Sequence, residues 1–142
     1  MFCCCIRKPV SVLKDAPEFS MKGKYEKCKV IDVYDGDTIT IIFPFAKQYF
    51  KAKLRLSGID TPEIRTKNLT EKNAGLRARN WLRNEILNCT VWISFEKEDK
   101  YGRLLGWIYK EKEKESINSK LISLGHAIEY KGGKKISYTQ WN

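Results

Sequence analysis

The feature that most constrains this chain is a strand-like alternation that begins at Val30 and returns, after each turn, as far as Leu56. Val30-Ile31-Asp32-Val33-Tyr34 is a β-rich run closed by the turn signal Asp35-Gly36. Ile39, Ile41 and Phe43 then alternate with Thr38, Thr40 and Ile42, a period of two that a helix cannot use. Pro44 falls near the end of that run, where a missing backbone donor is tolerated. A third strand follows from Tyr49 to Leu56, with Leu54 and Leu56 on one face and Lys53 and Arg55 on the other.

The period changes after Thr70. Ala74, Ala78, Leu82 and Ile86 recur at helical spacing, with Arg77, Arg79 and Arg83 directed elsewhere, which predicts a helix from about Thr70 to Leu87. Two further strands are expected at 90–95, with Val91, Ile93 and Phe95 inward, and within 102–109. Lys110 to Glu115 alternates in charge and reads as a solvated loop. A short helix from about Ser116 to Leu124 ends at Gly125, a natural C-cap. Three strands, a helix, two strands and a helix is the order of a five-stranded OB-type barrel. The expected class is α+β, mainly β, with two or three short helices. Residues 1–24 read as an N-terminal extension, 25–135 as the barrel domain and 136–142 as a short tail.

The length of 142 residues suits a single core, and a hydrophobic fraction of 42% is normal for a folded domain. The formal charge of +10 points to a polyanionic partner, nucleic acid before an anionic membrane, although a basic surface has neither meaning by itself. Five cysteines, three of them consecutive, make neither a disulfide framework nor, with the single His126, a structural zinc set. Cys28 and Cys89 read as small buried thiols, and the pattern favours a reducing, intracellular compartment over classical secretion. No apolar stretch reaches the length of a membrane span. The N-terminal Met1-Phe2-Cys3-Cys4-Cys5-Ile6-Arg7-Lys8 is unusual: clustered cysteines beside basic residues can accept palmitate and anchor the chain peripherally to a membrane. The plain alternative is a frayed end with free thiols. Phe2 excludes myristoylation.

Three segments carry chemistry: Asp35-Gly36-Asp37-Thr38, Arg55 to Glu63 (RLSGIDTPE), and Asp99-Lys100-Tyr101-Gly102-Arg103. Taken singly, each also reads as an ordinary turn. Together they hold the parts of a phosphodiester-cleaving site. Asp37, Asp60 and the carbonyl of Thr61 are hard oxygen donors of the kind calcium or magnesium takes. Glu63 can orient or deprotonate a water, and Arg55 and Arg103 can bind a phosphate and its transition-state charge.

In order and spacing these segments resemble the signature of the thermonuclease-like (staphylococcal nuclease) family, over roughly Tyr25 to Lys135. The resemblance implies an OB-fold, calcium-dependent enzyme that cleaves DNA and RNA with little sequence specificity at the 5′ P–O bond, leaving 3′-phosphates. It implies Asp37, Asp60 and Thr61 as Ca2+ ligands and Arg55, Glu63 and Arg103 as the catalytic set. It also implies Lys100 and Tyr101 near a terminal phosphate, Tyr130 as a stacking surface for single-stranded or frayed substrates, and Asp35 close to the metal. His126 receives no role. A monomer is expected.

The loop Ile64 to Lys72 differs from the bacterial archetype in length and content, and the polar C-terminal tail is too short for the archetype's long final helix. Two other readings stand beside the nuclease: a catalytically silent OB-fold module that binds nucleic acid or protein, and a membrane-surface protein without enzymatic activity. Retention of all five charged site residues opposes the first, and the three motifs oppose the second.

Overall fold

The computed structural model describes residues 15–112 and 114–141. The cysteine run at 3–5 lies outside them. Strands β1 (Tyr25–Val33), β2 (Thr38–Phe45) and β3 (Gln48–Leu56) form an antiparallel meander. A two-residue pair, β4 (Ile59–Asp60), follows, then helix α1 (Leu69–Ile86), β5 (Thr90–Phe95), β6 (Leu104–Tyr109), α2 (Ile117–Ser123) and the short β7 (Ile128–Glu129). The five long strands close in the order β1-β2-β3-β6-β5, with β5 returning to β1. Every barrel pairing is antiparallel except β3 with β6, which runs parallel from Leu54↔Leu104 to Leu56↔Gly106.

Burial follows the alternation. Val30, Val33, Ile39, Ile41, Leu54, Leu56, Ile93 and Ile108 point into the barrel and are fully buried. From outside, α1 adds Leu82 and Ile86 to the same core, while Ala74, Gly75 and Ala78 complete its buried stripe. The helix starts one residue earlier than its apolar period suggests, because Asn68 caps it by accepting from the backbone N–H groups of Thr70 and Glu71. Ser116 caps α2 in the same way through the Ser119 N–H.

Asn118 on α2 has no exposed surface and is satisfied on both sides. Its Oδ1 accepts from Ile108 N at 3.0 Å, and its Nδ2 donates to the carbonyls of Ser57 (2.8 Å) and Gly106 (3.2 Å). One amide thus ties α2 to β6 and to the β3–β4 turn, beside the parallel seam.

The folded unit starts before residue 25. Met21 is fully buried, its N–H donates to Glu98 at 2.7 Å, and Gly23 and Phe95 hydrogen-bond through Gly23 N to Phe95 O. Lone apolar residues on an extended segment carry no period, so this closure of the barrel leaves no pattern to read. Cys28 is buried, and burial pushes its thiol up to about 12, whereas Cys89 is only partly covered. His126 rests against the ring of Trp81, centroids 5.9 Å apart. Among the described residues no helix is long and apolar enough to cross a membrane.

Candidate active site

The site sits where β2 begins and β3 ends, at one mouth of the barrel. Asp35 shapes the approach to β2: its Oδ1 accepts from the Asp37 N–H at 3.0 Å, and the Asp37 carbonyl in turn accepts from Leu56 N at 2.8 Å. Gly36 lies flat on Thr61, where a Cβ would come within 2.9 Å of three side-chain atoms. Only glycine lets these two loops touch. Gly58 has φ +73° under the Trp107 ring, and that turn aims Asp60 back toward β2.

Asp37, Arg55, Asp60 and Thr61 are all buried. The outward face of β3 carries exposed Lys53, but at its last turn the same face is roofed by the two loops, which is why Arg55 is covered. One guanidinium nitrogen of Arg55 touches both carboxylates, Asp37 Oδ2 at 3.0 Å and Asp60 Oδ1 at 3.3 Å. Its other terminal nitrogen donates to the Ile59 carbonyl at 3.3 Å. Burial pushes the Asp37 carboxyl up to about 6, and the opposing pull of Arg55 and the Thr38 hydroxyl does not overcome it.

Glu63 stands at the rim with its side chain largely in solvent. Its partner is Lys135, whose ammonium reaches Asp60 Oδ1 at 2.7 Å and Glu63 Oε1 at 3.3 Å. Burial opposes the charge on Lys135, yet the hydrogen bond and charge of Asp60, with Asp37 and Glu63 behind it, raise its pKa above the usual lysine range. Sequence reasoning leaves Lys135 as the last residue of the barrel domain, without a role; a lone lysine 72 residues from Glu63 carries no local signal.

Arg103 enters from the loop between β5 and β6. Asp99 organises that loop, accepting from Tyr101 N and Arg103 N at 2.9 Å each and pairing with Arg103 Nε at 2.6 Å. Burial works against the Asp99 charge, but these bonds together hold its carboxyl below the usual range. Lys100, Tyr101 and Arg103 line a cleft of about 950 Å³ together with Asp37, Arg55, Glu63, Tyr130 and Lys135. The structure therefore brings the third sequence segment onto the first two. Tyr101 is exposed, with Lys100 and Arg103 against its ring. Tyr130 faces Arg55, the guanidinium 5.5 Å from the ring centroid, and its hydroxyl is held by the Gly133 carbonyl.

Among the described residues no three or more His, Cys, Asp or Glu side chains gather into a metal-binding group. The two carboxylates nonetheless form an all-oxygen pair that suits calcium or magnesium. A carboxyl that burial lifts to about 6 beside Arg55 is short of positive charge, and a divalent cation would supply it.

Residues 53–141 match the family described as staphylococcal nuclease homologue, which is more than half of the chain. The chain belongs to the staphylococcal nuclease family. The match includes Arg55, Asp60, Thr61, Glu63, Arg103, Tyr130 and Lys135, while the Asp35–Asp37 loop lies upstream of it. Among relatives of this nuclease homologue, the thermonuclease of Staphylococcus hyicus is 35% identical over 101 residues, covering 70% of this chain and 56% of that protein. The thermonuclease of Staphylococcus intermedius is 35% identical over 97 residues, covering 67% and 54%. Endonuclease YhcR of Bacillus subtilis is 32% identical over 120 residues, covering 78% of this chain and 9% of its own length. The chain thus spans little more than half of either thermonuclease.

Proposed function

We propose that this chain is a calcium-dependent phosphodiesterase that cleaves DNA and RNA with little sequence preference, breaking the 5′ P–O bond and leaving 3′-phosphates. The observation that carries the reading is the convergence of Asp37, Arg55, Glu63 and Arg103 on one cleft, with Asp60 beneath it. The names of the relatives, thermonucleases and endonucleases, agree with it.

Asp37, Asp60 and the Thr61 carbonyl would hold the calcium, which when bound supplies positive charge to a phosphoryl oxygen and to an adjacent water. Glu63 accepts a proton from the attacking water; its exposed position gives it room to reach one. Arg55 is held by Asp37, Asp60 and the Ile59 carbonyl, so it meets the phosphate already oriented. Arg103, from the loop between β5 and β6, binds a second phosphoryl oxygen and stabilises the departing 5′ oxygen. As the water oxygen joins phosphorus and gives a proton to Glu63, the bond to the 5′ oxygen breaks, and that oxygen leaves paired with Arg103 and takes its proton from solvent water. Lys100 and Tyr101 contact a neighbouring phosphate, and Tyr130 offers a ring for a base or ribose. An open cleft with exposed aromatic rings suits single strands and frayed ends.

The test is cleavage of single-stranded DNA and RNA with calcium or with chelator, followed by end-group analysis of the products. Calcium-dependent cleavage with 3′-phosphate ends is expected. Strand binding without cleavage under calcium would instead make the chain a silent binding module.

A further inference from the structure

Lys135 lies in the cleft at a point that the proposed chemistry does not use. Its ammonium is 2.7 Å from Asp60 Oδ1 and 3.3 Å from Glu63 Oε1, and Asp37 feels its charge through space. One lysine thus acts on three carboxylates, two of them assigned to the calcium and one to the attacking water. Asp60 Oδ1 also meets Arg55 at 3.3 Å, so an oxygen of a side chain only 5% exposed faces two cations. Asp37 and Asp60 set two negative charges against the single charge of Arg55, and the lysine supplies the positive charge that is lacking.

The two cations are held in different ways. Arg55 is buried on a barrel strand and is fixed by Asp37 and the Ile59 carbonyl as well as by Asp60. The Lys135 side chain is half exposed, and residues 131–137 are all exposed. The chain reaches it through Gly132 and Gly133, both at positive φ, with the Tyr130 hydroxyl donating to the Gly133 carbonyl. Moving the lysine outward therefore breaks its ion pairs with Asp60 and Glu63 and uncovers no apolar core.

Calcium takes carboxylate oxygens at about 2.3–2.6 Å, which on Asp60 sets it roughly 4–5 Å from the ammonium. A divalent ion and an ammonium that close repel twice as strongly as two single charges, and a buried oxygen screens them poorly. One cation must yield, and the one on the exposed segment is the lysine. From this we infer that Lys135 is the cation that the metal-free cleft carries in calcium's place, and that calcium binding expels it to solvent. The exchange rests on the calcium reading given above. While the lysine is in place it occupies both Asp60 and Glu63, and its departure frees the ligand and the water-activating group together.

Calcium chloride is titrated calorimetrically into the full chain free of nucleic acid. Lys135→Met binds calcium about tenfold more tightly than the unaltered chain, because a charge-assisted pair on a buried carboxylate no longer competes. Lys134→Met removes the same charge from an exposed neighbour outside the cleft lining, and shifts the affinity by less than about twofold. The unaltered chain is also acetylated briefly with acetic anhydride, in calcium chloride or in chelator at matched ionic strength, and each lysine is read by mass spectrometry. Calcium speeds acetylation of Lys135 and leaves Lys134 as it was. Equal tightening by both variants overturns the exchange, since net charge alone would then act. Unchanged or weaker calcium binding by Lys135→Met overturns it too, as does a Lys135 no more reactive in calcium than in chelator. No calcium binding by either the unaltered chain or Lys135→Met overturns the calcium reading itself, and the exchange with it.

Discussion

Replacing Arg55 by Met removes the one cation that touches both buried carboxylates and keeps the volume of the side chain close to constant. Breaking a buried pair by deleting one partner costs about 3–5 kcal/mol, because the Asp37 charge left behind is buried and Lys135, which pairs with Asp60, acts on it only at longer range. The structure adds a pH dependence to that figure. In the folded protein Asp37 already has a pKa of about 6, raised by burial above its ordinary value near 3.8. Its proton-linked contribution to stability is therefore complete below pH 3.8 and lost as pH rises through about 6. Arg55 pulls this pKa down, so the Arg55→Met protein holds the proton still more tightly. Below pH 6 both proteins have a neutral Asp37 and the difference from this group vanishes. From pH 6 to 7.5 the variant falls behind by about 1.4 kcal/mol per unit, or about 2 kcal/mol in all. Urea unfolding with chelator present, at pH 5 and pH 7.5, measures both numbers. A penalty equal at the two pH values, or larger at pH 5, would refute the placement of Arg55 as counterion to a buried Asp37.

Glu63→Gln and Arg103→Ala should each lower DNA cleavage by about 10²-fold or more with melting temperatures nearly unchanged, since neither side chain is buried; single-turnover rates beside thermal melts check both. Gly36→Ala forces a Cβ to 2.9 Å from Thr61, so it should cost about 1–3 kcal/mol in urea and weaken calcium binding measured by calorimetry. Asn118→Ala strands Ile108 N and the Ser57 carbonyl, while the Gly106 carbonyl keeps its bond from Ser57 N, and a loss of about 2–4 kcal/mol is expected in the same unfolding assay.

Strand alternation and the helical stripe of Ala74, Ala78, Leu82 and Ile86 were legible because each depends on neighbours in sequence. Asp37, Arg55 and Asp60 were legible for a different reason: they sit on adjoining strand ends, so a correct hairpin brings them together. Lys135 was not. Its two partners are reached only when the chain beyond β7 folds back over β4, and no local pattern encodes that return. Asn118 was equally silent, because a polar residue in a short helix looks solvated until the seam behind it supplies three partners. Met21 belongs to the same class, since it closes the barrel from a segment without periodicity.

The parallel pairing of β3 with β6 also sets an order of events during folding. The meander β1–β3 can form from contacts local in sequence, and with it Asp37 and Arg55 meet. Leu54↔Leu104 and the still more distant Tyr25↔Ser94 both span α1, so these two pairings carry the largest loop-closure entropies of the barrel and belong late in folding. Arg103 immediately precedes the Leu54↔Leu104 pairing and reaches the cleft only when it is made. A nascent or half-unfolded chain can thus hold Asp37 against Arg55, yet cannot bring both arginines to one cleft. Arg55 and Arg103 therefore come to face one cleft only when the barrel closes, so the complete set of side chains is a property of the finished fold and of no part of it.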